Sequence, residues 1–148
     1  MIHNKKIKLD ELDLKLIKEY TTDSRRSLRQ IAKKIDAAVS TVQQHTHKLE
    51  WRGIIKGYSA IIDYEKLGYE LTSISEISVS KGKVVEVEES IAKFPEVVAV
   101  YDVSGSADVI SIARFKTKEQ LNKHIKKVLA LPFVEKTNTH LVLATVKE

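Results

Sequence analysis

Six hydrogen-bonding side chains crowd one short stretch: Ser40, Thr41, Gln43, Gln44, His47 and Lys48. Between residues 39 and 51 the only carboxylate is Glu50, at the far end. Val39, Val42, Thr46 and Leu49 recur at helical spacing, so a helix here buries those four and turns the polar set outward. A helix that merely faces solvent usually mixes charges of both signs. Amides and hydroxyls without acids suit the edges of bases instead. Glutamine pairs bidentately with adenine, and serine or threonine contacts any base. Upstream lie Arg25, Arg26, Arg29, Lys33 and Lys34, cations suited to phosphates, which fix register rather than sequence. Such a unit is expected to bind duplex DNA. A three-helix unit that docks on another protein is the alternative.

Other chemistries find no support. The chain has no cysteine, which excludes disulfides, thiolate metal sites and cysteine nucleophiles. His45 and His47 stand two apart on a helix and diverge. His124 and His140 lack ligand-spaced partners. There is no glycine-rich phosphate loop and no nucleophile elbow. An enzyme is therefore not expected, nor a cofactor or a metal. The 148 residues include 25 basic and 20 acidic side chains, and 43% are hydrophobic, a foldable balance. Residues 1–62 hold 13 basic and 7 acidic groups, whereas residues 63–148 hold 12 and 13. The excess positive charge thus lies wholly in the N-terminal part, as expected of a polyanion-binding unit joined to a unit with another task. No apolar run approaches the ~18 residues of a membrane span, and the N-terminus lacks the apolar core of a secretory signal. A cytoplasmic, nucleoid-associated protein is expected. Abundant lysine with scarce asparagine and glutamine leans towards a heat-adapted source.

The elements that must position these residues follow from periodicity. Leu9, Leu12, Leu16, Ile17 and Tyr20 predict a first helix opening at Asp10, with Asp13 in its first turn near free N–H groups. Ser27 and Gln30 form a capping box for a short second helix carrying Leu28, Ile31, Ala32 and Ile35. The third helix runs from about Val39 to Trp51 and ends before Gly53. Ala38 cannot cap it, and Ser40 is the candidate cap for a slightly later start. Trp51 is expected to pack between the two halves of the chain. Short helix, turn and longer helix make a helix-turn-helix outline. Beyond it come strands at Leu71–Ser80, Val97–Val103, Val109–Phe115 and Thr139–Val146. One helix with Val84, Val87, Ile91 and Phe94 inward, and one opened by a Thr117–Gln120 box, separate them. The order β-α-β-β-α-β predicts a four-stranded antiparallel sheet with two helices on one face. Alternate residues such as Ile77, Val79, Tyr101, Val109, Leu141 and Leu143 supply more apolar surface than two helices cover. A second subunit is expected on the bare face.

Leu9-Asp10-Glu11-Leu12-Asp13, Arg26-Ser27-Leu28 with Ile31-Ala32, and the run Leu49 to Tyr58 resemble the Lrp/AsnC family of leucine-responsive, or feast/famine, transcriptional regulators. So do Leu67-Gly68, Phe94-Pro95-Glu96-Val97, Ser104-Gly105 with Asp108, and Thr137-Asn138-Thr139. The resemblance, to an archaeal-type member, covers nearly the whole chain. It implies an α+β protein with a helix-turn-helix, winged-helix-like domain at 1–54, a linker strand or hinge at 55–69, and a ferredoxin-like domain at 70–148 for ligand binding and oligomerisation. It implies a homodimer that assembles to tetramers or octamers. A free amino acid as effector is implied at Ser104, Gly105, Ser106, Ala107 and Asp108 with Thr137, Asn138 and Thr139. In that reading Asp108 accepts from an α-ammonium, and glycine lets backbone N–H groups approach a carboxylate. There are departures. His45 stands where the family usually has an arginine that contacts DNA, Ser106-Ala107 replaces an acidic-aromatic pair, and Phe133 occupies a common glycine position and lines or fills the site. The expected function is sequence-specific, effector-modulated DNA binding. The competing reading is an amino-acid-sensing module that acts through a protein partner, with the basic domain as docking head.

Overall fold

The computed structural model describes residues 8–147. They divide into two compact units, the first ending at Ile61 and the second beginning at Ile62.

In the first unit, helix α1 spans Glu11–Thr22, α2 spans Leu28–Ile35 and α3 spans Val39–Trp51. Asp10 and Asp13 close a capping box on α1, and Ser27 and Gln30 close one on α2. Asp36 takes a left-handed conformation (φ 53°) at the end of α2, which lets the chain turn into α3. Helix α3 starts at Val39 with Ala38 at its cap and no side-chain cap bond. Ser40 lies inside the helix and does not cap it. At the other end Gly53 (φ 67°) supports a Schellman motif: its N–H donates to Glu50 O at 2.9 Å and Ile54 N–H to Leu49 O at 2.9 Å. Leu16, Ile31, Ala32, Val42 and Leu49 form the core, flanked by Leu9, Leu12, Ile17, Tyr20, Leu28 and Ile35. Val39, expected inside, is 40% exposed. Trp51 is 88% exposed.

The second unit begins with a 3-10 turn at Glu65–Leu67. Strand β1 (Leu71–Val79), helix α4 (Val84–Ile91), β2 (Val97–Asp102), β3 (Val109–Phe115), α5 (Lys118–Leu129) and β4 (Val134–Leu141) follow. The sheet order is β2-β3-β1-β4 with every neighbour antiparallel, the ferredoxin-like arrangement. Thr117 caps α5 through Gln120 N, but the Gln120 side chain accepts from Lys116 N, so the expected box is displaced by one residue. The last strand lies five residues earlier than Thr139–Val146. The ladder to β1 sets Ile77 against Thr137 and Ser73 against Leu141 and runs out soon after, leaving Leu143 and Val146 exposed. Pairing partners, rather than the β-branched run alone, decide where a strand lies.

Burial alternates along β1 and β3. Ile77, Val79 and Val109 face the helices with Val87, Ile91 and Val128, and Ala113, Phe115 and Leu121 form a second cluster. The opposite, open face carries Ile74, Glu76, Ile110, Ile112 and Arg114, with Ala99 and Tyr101 on β2 by register.

Candidate nucleic-acid interface

Of the outward residues expected on α3, Ser40, Gln43, Gln44 and His47 are exposed and Thr41 is half-buried. His45 and Lys48 are placed differently, since both turn towards α1. His45 Nδ1 lies 2.8 Å from Asp13 Oδ1, and Lys48 Nζ donates to Asp13 Oδ2 at 2.6 Å and Asp10 Oδ2 at 3.1 Å. Asp13 is fully buried. Burial raises its pKa, but Lys48, His45 and the Asp10 backbone N–H outweigh that and hold the carboxyl at about 2. The same contact raises the pKa of Lys48. Asp10, Asp13 and His45 converge closely enough to resemble a metal cage, yet the ammonium of Lys48 already supplies positive charge to both carboxylates. This cluster clamps the middle of α3 to the start of α1. A second tie lies about two turns further along α1, where Thr46 meets the Tyr20 hydroxyl at 2.9 Å.

The upstream cations divide in two. Arg26 pairs with Glu19 and, at 3.4 Å, with Asp23, while Lys34 reaches Glu19 at 2.7 Å. Lys34 chiefly, then Arg26, keeps the nearly buried Glu19 carboxyl below its ordinary range, against the opposing effect of burial. These two side chains tie α2 to α1. Arg25, Arg29 and Lys33 are exposed and have no ion pair among the described residues. Glu50, at the far end of the helix, accepts from the Tyr58 hydroxyl at 2.9 Å and lies 3.4 Å from His47 Nδ1. Burial, then Glu50, pushes the pKa of that hydroxyl up. The exposed side of α3 therefore presents amides, a hydroxyl and an imidazole that pairs with Glu50, while the unpaired cations stand on and just before α2.

In the second unit, Ser104–Asp108 join β2 to β3, with Gly105 at φ 141°. Asp108 is bonded into the end of β1: its N–H donates to Ile77 O at 3.1 Å and its Oδ2 accepts from Val79 N at 2.8 Å. Across β1, Thr137 stands opposite Ile77, and Phe133 O accepts from Ser80 N at 2.9 Å. Asp108, Phe133 and Thr137 thus gather at the C-terminal end of β1. Ser104, Gly105 and Ser106 sit exposed at the hairpin tip, with Ala107 half-buried. Asn138 and Thr139 do not converge with the rest. Asn138 reaches Glu76 and His140 on the open face, whereas Thr139 bonds Ser75 on the helix side. Phe133 adopts φ 71°, a backbone conformation costly for a bulky residue and free for glycine, and Lys83 lies over its ring at 4.8 Å.

Sequence reasoning missed the clamp at Asp13. Its signal was present, because Asp13 falls on the same helical stripe as Leu9, Leu12, Leu16, Ile17 and Tyr20.

Residues 9–56 match the model of a winged helix-turn-helix DNA-binding domain, and residues 72–148 match that of the Lrp/AsnC ligand binding domain. The chain is 48% identical over 140 residues to an uncharacterized HTH-type transcriptional regulator of Pyrococcus abyssi, covering 95% of each. It superposes on the structure of LrpC from B. subtilis with a TM-score of 0.84 at 29% identity, over 95% of this chain and 99% of that one. A Neisseria meningitidis transcriptional regulator, solved in complex with L-Met, shares the fold: TM-score 0.88, 22% identity, 95% of this chain and 94% of the other.

Proposed function

The chain belongs to the Lrp/AsnC family of transcriptional regulators, and from that premise we propose that it binds particular duplex sequences through the exposed side of α3 and answers to a free amino acid held by its second unit. The observation that carries this reading is the exposed side of α3, where Ser40, Gln43 and Gln44 stand open to solvent and the one carboxylate of the helix, Glu50, lies at its far end beside His47. Gln43 and Gln44 read base edges. Arg25, Arg29 and Lys33 hold phosphates, while Arg26, Lys34, His45 and Lys48 act indirectly by fixing the three helices. The effector contacts Asp108, Thr137 and the Ser104–Ala107 backbone, with Phe133 bounding the site. The L-Met complex of the Neisseria relative supports an amino acid as the class of ligand.

Two copies pair through the open sheet face, where Ile74, Ile110, Ile112 and Tyr101 supply apolar surface. Pairing presents two α3 helices to half-sites about one duplex turn, or a multiple of it, apart. Dimers then assemble into tetramers or octamers. The effector alters activity through its differential affinity for these assembly states.

The test is a gel shift with fragments of the source genome against excess random duplex, with and without each of the twenty amino acids. Retention of a particular fragment, altered by at least one amino acid, is expected. Equal competition by random duplex would refute sequence reading, and no response to any amino acid would refute the effector.

A further inference from the structure

Trp51 is the only tryptophan of the chain, and at 88% exposed it is far more open than a large aromatic side chain usually is. Its place on the helix is what matters. Ser40, Gln44, His47 and Trp51 follow one another at intervals of four, three and four residues, so at ~3.6 residues per turn they share one stripe. Trp51 therefore extends the side of α3 assigned to bases by one more turn. At ~1.5 Å per residue the stripe is roughly 16 Å long. A major groove is only ~12 Å wide. With the N-terminal turns of α3 against base edges, the last turn emerges at the groove rim, beside the sugar and phosphate of one strand. The side chains around the indole fit that place. His47 is exposed on the preceding turn, Arg52 and Lys56 are exposed just beyond, and the neighbouring Glu50 is engaged by the Tyr58 hydroxyl and by His47 at 3.4 Å.

We infer that Trp51 is a further DNA contact, its ring lying on the deoxyribose of a backbone at the groove rim and its Nε1–H donating to a phosphate oxygen. The inference rests on the reading of α3 given above and adds to it a contact that holds any sequence alike. Arg52, Lys56 and Lys48 outnumber the single, already engaged Glu50 around this end of α3, which favours a polyanion over a second copy of the chain as the surface that covers the ring.

Because the chain has one tryptophan, its emission reports this site directly. A fluorophore-labelled random duplex of about 30 base pairs at low salt is the probe, since a backbone contact needs no specific sequence. At saturation, the emission of Trp51 is expected to fall and its quenching by acrylamide to drop at least about twofold. Trp51→Ala is expected to weaken binding by about three- to tenfold on random and preferred duplexes alike, with Trp51→Phe in between. Gln44→Ala should relax sequence preference yet leave the quenching response in place. Duplex bound, by anisotropy, with Trp51 emission and quenching as in the free protein would overturn the inference while leaving the reading of α3 intact. So would emission that changes with protein concentration alone and not with duplex, since a second copy would then cover the ring. Failure to bind any duplex would overturn both.

Discussion

Replacing Asp13 by asparagine keeps shape and volume but removes the charge that Lys48 and His45 face. The carboxyl is lowered from 3.8 to about 2, which at ~1.4 kcal/mol per pKa unit corresponds to roughly 2–3 kcal/mol. Water at the partners offsets part of this, because the Lys48 and His45 side chains stay 29% and 22% exposed. Asparagine can still accept the Asp10 N–H. A loss of about 1–2 kcal/mol is expected at neutral pH, below the ~3–5 kcal/mol of a fully buried pair broken on one side. The sign with pH follows from the depressed value. The stabilisation is complete above the ordinary carboxyl pKa near 3.8 and is lost as pH falls towards 2, so the gap between wild type and Asp13→Asn narrows from pH 4 downward. Urea denaturation at fixed protein concentration, at pH 7, 4 and 2.5, measures it. Equal stabilities at pH 7, or a gap unchanged at pH 2.5, would refute the clamp.

Two further outcomes are expected. Arg29→Ala and Lys33→Ala each weaken binding to all duplexes alike and lower the slope of log affinity against log salt by about 0.9, whereas Arg26→Ala lowers stability by breaking its pairing with Glu19; salt titrations and melting curves separate these effects. Phe133→Gly relieves the left-handed backbone and raises the melting temperature, by the equivalent of up to ~1 kcal/mol; since the ring is 42% exposed, little packing is lost, and a lower temperature would show that the ring stabilises more than the backbone strains.

Features fixed by neighbours in sequence were legible there. The Ser27–Gln30 box, the α3 limits and the glycine that ends α3 rest on contacts within a few residues. The β-α-β-β-α-β order was legible for the same reason, as alternation and helical spacing switch clearly along residues 71–129. What depends on distant partners was not. The bounds of β4 are set by its ladder to β1, not by its own β-branched run. The acidic partners of Arg26 and Lys48 come from the segment of α1, so a cation expected at phosphates and one expected on the outward side of α3 both tie helices together. Asp13 read as a group favouring a helix N-terminus, though its main partners lie 32 and 35 residues away. At the effector residues, the family resemblance grouped Thr137, Asn138 and Thr139, but strand pleating sends Asn138 to the face opposite Thr139.

The most direct measurement of the central claim selects the preferred duplex of the wild-type protein from random sequence and repeats the selection with Gln43→Ala and Gln44→Ala. The account predicts that each variant still binds DNA but loses preference at one or two neighbouring base pairs of each half-site, by about 1–3 kcal/mol per position. An unchanged preferred sequence, recovered with unchanged affinity by both variants, would contradict it.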